Sequence, residues 1–99
     1  MIEINNNTWI IPNHLDAFTV PKISKKYTKQ PPSDKEWILD FSKCTKVDCA
    51  GLAMVIDCIK HAKKTKTHLK LIKLSNDALS LAKAHGVKEI ISKYIGQAN

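Results

Sequence analysis

Ninety-nine residues are enough for one hydrophobic core and too few for two, so a single domain spanning 1–99 is expected. The 43% hydrophobic and 25% charged content is ordinary for a globular protein, and no apolar run approaches the ~20 residues of a membrane span. The net charge of +7 invites a nucleic-acid partner, but all sixteen basic residues are lysine, and arginine supplies the bidentate fork and stacking plane most used on bases and phosphates. No nucleic-acid role is therefore expected.

Met1 to Ile4 alternates, Asn5-Asn6-Asn7 forms a turn, and Thr8 to Ile11 resumes an extended pattern, which together predict a β-hairpin. Pro12-Asn13 ends its second strand. Leu15, Phe18, Val20 and Ile23 supply apolar anchors for a helical stretch reaching about Tyr27, in which Pro21 is a helix start or a kink. Lys29 to Lys35, with Pro31-Pro32, is the most loop-like segment. The N-terminus lacks a basic segment followed by an apolar one, so no signal peptide is expected.

Trp37 to Phe41 is short, almost wholly apolar and free of Gly and Pro, and reads as a buried strand. Ser42 to Asp48 is a polar connection. From Cys49 the period becomes helical, with Leu52, Val55, Ile56, Ile59 and Ala62 on an inward face. Asp48 stands at the N-cap, and Lys60, Lys63 and Lys64 crowd the last turn, where positive charge is favoured. Thr65 to Thr67 is a turn, and His68 to Leu74 the next strand, with a right-handed parallel crossover as the default. Ser75-Asn76-Asp77 caps a short helix carrying Ala78, Leu79, Leu81 and Ala82, and Gly86 stops it. Val87 to Ile95 is a short final strand or a helical turn. The sum is an α/β fold, a mixed β-sheet with helices packed mainly on one face.

Leu39-Asp40-Phe41-Ser42, a short loop, and Val47-Asp48-Cys49-Ala50-Gly51-Leu52-Ala53 resemble the signature of a STAS domain, the fold of anti-sigma factor antagonists. Asn13-His14-Leu15-Asp16, Ser75-Asn76-Asp77 and Leu81-Ala82-Lys83 extend the likeness toward the MlaB type, the STAS subunit of the Mla phospholipid ABC transporter. In the antagonists, a serine of this motif is phosphorylated by a partner kinase and the added charge drives dissociation. The matching position here is Ala50 and its neighbour is Cys49, so this site has no hydroxyl to phosphorylate.

Catalysis is hard to assemble. A helix N-terminus favours the thiolate form of a cysteine, but His61 lies roughly 18 Å along the same helix from Cys49, and His85 has no position fixed by periodicity or spacing. Three cysteines (Cys44, Cys49, Cys58) without a C-x-x-C pair argue for reduced thiols in a cytoplasm. Four scattered histidines make no metal site, and no phosphate-binding glycine loop occurs. No cofactor, metal or enzymatic activity is expected.

The helical wheel sets Ala50, Ala53, Met54, Asp57 and His61 together opposite the inward face, a strip free of lysine. Small residues and a methionine let another protein approach closely, while Asp57 and His61 can fix register. With Asp48, Cys49 and Gly51, these form the expected partner-binding site. The resemblance then implies a cytoplasmic adaptor on the ATPase subunit of an Mla-like transporter, peripheral at the inner membrane through that complex and its permease. The alternative is an anti-sigma factor antagonist-like protein without its phosphoacceptor.

Overall fold

The computed structural model describes residues 2–29 and 35–96. In chain order it forms β1 (Glu3–Asn5), β2 (Thr8–Ile10), β3 (His14–Leu15), α1 (Val20–Lys29), β4 (Glu36–Asp40) and β5 (Lys46–Val47). α2 (Cys49–Thr65), β6 (His68–Ile72), α3 (Asn76–Ala84) and α4 (Lys88–Ser92) follow. The expected 29–35 loop falls largely on residues 30–34, outside the described residues.

The main sheet has the order β1-β2-β4-β6. β1 and β2 are the antiparallel hairpin, turned at Asn6 with φ 56°, and β4 is parallel to both β2 and β6. The register Trp37↔Leu69 and Leu39↔Leu71, with Trp9↔Leu39, places five large apolar side chains on one face. All five are buried, whereas Ile38 and Asp40 on the other face are only half-buried. A strand with one buried and one half-exposed face carries its helices mainly on the buried side, as expected. Val87 to Ile95 resolves into α4 and one bridge, Leu71↔Ile95.

Two expectations change. The connection before α2 contains β5, which pairs in parallel with β3 as a separate two-stranded ladder, His14↔Lys46 and Leu15↔Val47. The helical stretch near Leu15 begins only at Val20, with Pro21 in its first turn, where a missing amide costs no internal bond. Thr19 and Asp16 build the intervening turn: Asp16 Oδ1 accepts from the backbone N–H of Phe18 at 2.9 Å and Thr19 at 3.1 Å. These bonds, Thr19 first, hold the Asp16 carboxyl below its ordinary range. Phe18, expected as a core anchor, is 83% exposed because this turn presents it outward.

Candidate functional site: the start of α2

The β3–β5 ladder is what positions the start of α2. Asp48 N donates to Leu15 O at 3.1 Å, tying the N-cap to β3. Asp48 is extended (φ −102°, ψ −171°), and its Oδ1 accepts from Gly51 N at 3.0 Å, satisfying one of the free amides of the first turn. Gly51 then faces the ladder. A Cβ there would meet Leu15 O at 2.4 Å and Val47 Cγ1 at 3.0 Å, so only glycine lets α2 come this close. Gly51 is accordingly buried and belongs to the packing of the helix rather than to its outer surface.

The remaining residues of the expected strip divide. Cys49 and Ala53 are exposed and Ala50 is half-buried. Met54, expected to point outward, is 3% exposed and packs in the core. Asp57 is exposed at the α1 side and accepts a hydrogen bond from Tyr27 Oη. His61 is half-buried, edge-on to Tyr27 at 5.6 Å and Trp37 at 6.2 Å between centroids. Both residues are thus engaged by the fold. The cause is a rotation: α2 buries Gly51, Met54, Val55, Cys58 and Ala62 along with Leu52 and Ile59, whereas Ile56 is only half-buried. Its inward direction is turned by roughly 60° from the expected one, at 3.6 residues per turn. Helix α1 covers the Met54–Cys58 side, and Lys60 and Lys64 lie in the exposed arc that Ala53 opens.

Burial raises the Tyr27 hydroxyl well above its ordinary value, and its bond to Asp57 pushes the same way. Burial likewise raises the Cys58 and Cys44 thiols. Cys49 differs from both: it is exposed, and its Sγ lies 3.3 Å from His85 Nε2. The pairing arises because α3 packs against α2 and its C-cap, His85, lies beside the first residue of α2. Neither residue's spacing along the chain signals this contact. Among the described residues no group of three His, Cys, Asp or Glu side chains could hold a metal ion, and no helix is long and apolar enough to cross a membrane.

The model of the STAS domain matches residues 3–97. Among the solved structures that share the fold are these three. The anti-sigma factor antagonist SpoIIAA in its unphosphorylated form has a TM-score of 0.74 at 15% identity, over 100% of this chain and 87% of that one. A sulfate transporter family protein from Wolinella succinogenes gives 0.71 at 18%, over 90% and 74%. The protein TM1081 gives 0.71 at 10%, over 99% and 78%. No curated protein matches the chain in sequence.

Proposed function

The chain belongs to the STAS domain family, and on that premise we propose that it is a non-catalytic adaptor docking on the ATPase subunit of an Mla-like phospholipid ABC transporter. Domains of this family generally bind or regulate other proteins. The observation that carries the reading is the outer surface of the first turns of α2, where Cys49 and Ala53 are exposed beside half-buried Ala50. Small side chains on an accessible helix face permit close approach by a second protein. Ala50 stands where relatives carry a phosphorylated serine, so the contact would be constitutive rather than switched by phosphate at this position. Phe18 is a large apolar side chain left exposed, and its burial on binding would add apolar area to such a contact. Placement is cytoplasmic, at the inner membrane through the complex.

The second reading, an anti-sigma factor antagonist-like protein without its phosphoacceptor, uses the same corner of the fold on a different partner. Tagged chain recovered from native membranes, with captured proteins identified by mass, separates the two. An ABC ATPase supports the adaptor, and an anti-sigma kinase supports the antagonist. Ala53→Arg is the decisive variant. It should leave stability within ~0.5 kcal/mol, as at other exposed sites, while lowering capture of the ATPase by orders of magnitude. Undiminished capture would move the docking site away from this face.

A further inference from the structure

The contact between Cys49 and His85 is unused by a docking role. Cys49 is the first residue of a 17-residue helix, and its thiol is exposed. His85 is also exposed, with its Nε2 at 3.3 Å from Sγ, within hydrogen-bonding reach for sulfur. A nucleophile in direct contact with a base is the arrangement that activates a thiol. The nearest carboxylate in sequence, Asp48, is turned away to cap Gly51 N. Cys44 and Cys58 differ in kind: both are buried, and Cys44 Sγ donates to Lys46 O at 3.5 Å.

We propose that Cys49 and His85 form an oxidisable thiol–imidazole pair whose reactant is a small peroxide. With its proton on Nδ1, neutral His85 takes the thiol proton at Nε2. The sulfur attacks one peroxide oxygen and the O–O bond breaks. The departing hydroxide recovers the proton from the imidazolium and leaves as water. Cys49 becomes a sulfenic acid, oxidised by two electrons, and the peroxide is reduced. An internal disulfide is not favoured by this arrangement: Cys58 is buried and lies nine residues along the same helix, roughly 13 Å away by helix rise, and Cys44 is buried with its thiol bonded to Lys46 O. The sulfenic acid therefore condenses with a low-molecular-weight thiol from solution. One S–S bond forms, the S–OH bond breaks, and water is released.

The inference is independent of the docking reading, because its test needs no partner. The purified 99-residue chain is treated with hydrogen peroxide at neutral pH, the sulfenic acid is trapped with a cyclic 1,3-dione, and modification is followed by mass at each cysteine. The reference is Ser80→Cys in a Cys49→Ser background, an exposed thiol on α3. Cys49 should react at least ~10-fold faster than the reference, a modest fraction of what a positioned base can supply. His85→Ala should remove that advantage, and added imidazole should restore part of it, which a purely structural role for His85 would not allow. Circular dichroism of the variant verifies its fold. A Cys49 rate equal to the reference, or a His85→Ala rate equal to wild type, overturns the proposal.

Discussion

Helix α2 begins under small, neutral, accessible residues and ends among lysines, and its two ends meet the molecule differently. At its start the backbone itself is pressed against β3 and β5 through Gly51, and Asp48 holds the first turn. Further along, the contact is made by side chains, with Met54 in the core and Asp57 and His61 engaged by Tyr27. The first region therefore has geometry fixed from beneath and an outer surface left open. The second has its α1-facing side occupied and its open arc charged by Lys60, Lys63 and Lys64. An accessible surface over a backbone held from beneath is suited to binding, whereas a side packed against α1 is suited to stability.

The sharpest way to break this contrast is to place the same charge at adjacent positions. Met54→Arg buries a cation without a partner and should abolish cooperative thermal unfolding, since even Met54→Ala is expected to cost about 2–5 kcal/mol. Ala53→Arg, one residue earlier, should leave the transition in place. Should both variants unfold at similar temperatures, the inward and outward faces have been assigned wrongly.

Gly51→Ala comes next. Backbone Leu15 O has little room to yield to the new Cβ, so a loss of about 1–3 kcal/mol in urea-midpoint measurements is expected, as for overpacked sites. Because the strain falls on the ladder beneath the proposed docking face, partner capture should weaken as well. A stability change without any change in capture would dissociate the ladder from the face it supports.

These expectations also show what the chain reveals before it folds. The hairpin, β4, β6 and the caps at Asp48 and Ser75 follow from local alternation and side-chain chemistry, and the family motif is local too. The β3–β5 ladder is two residues long on each side, too short to carry a period. The rotation of α2 was hidden because Met54 and Cys58 are apolar as well, so the apolar arc is broad and either setting satisfies it. What decides between settings is α1, whose Tyr27 reaches Asp57 across thirty residues of chain. His85 meets Cys49 across thirty-six residues, again by the course of a helix rather than by a motif.

The pH dependence sharpens the second region. Cys58 and Tyr27 both have folded-state values raised above ordinary, so the folded chain retains protons that the unfolded chain gives up. The stability they contribute is complete at lower pH and declines as pH rises, beginning above about 8.5 for the thiol and about 10 for the phenol. Urea midpoints should therefore fall on the alkaline side, and Tyr27→Phe should flatten the part above about 10. An unchanged slope in that variant would remove Tyr27 as its source.

The smallest effect is expected at the cap. Asp48→Ala removes one side-chain bond to the first turn and should cost about 1 kcal/mol by thermal unfolding. The tie from Asp48 N to Leu15 O is made by backbone and survives the substitution, so the start of the helix should stay in place. A loss matching that of Gly51→Ala would indicate that the cap, rather than the close approach, anchors this end.

The final residues described bear on a different hazard. Leu71 N donates to Tyr94 O at 2.7 Å and Gly96 N to Leu71 O at 2.8 Å, so the chain beyond α4 lies along the outer margin of β6. Without it, a row of unpaired amides and carbonyls beside Leu69 and Leu71 would offer a template for strand addition by another molecule. The opposite margin, β1, is three residues long and carries the Glu3 carboxylate, which discourages stacking. Self-association through the sheet is thereby guarded at one side by backbone pairing and at the other by brevity and charge. A chain ending at Lys93 would be expected to aggregate on standing at concentrations where the full chain remains dispersed.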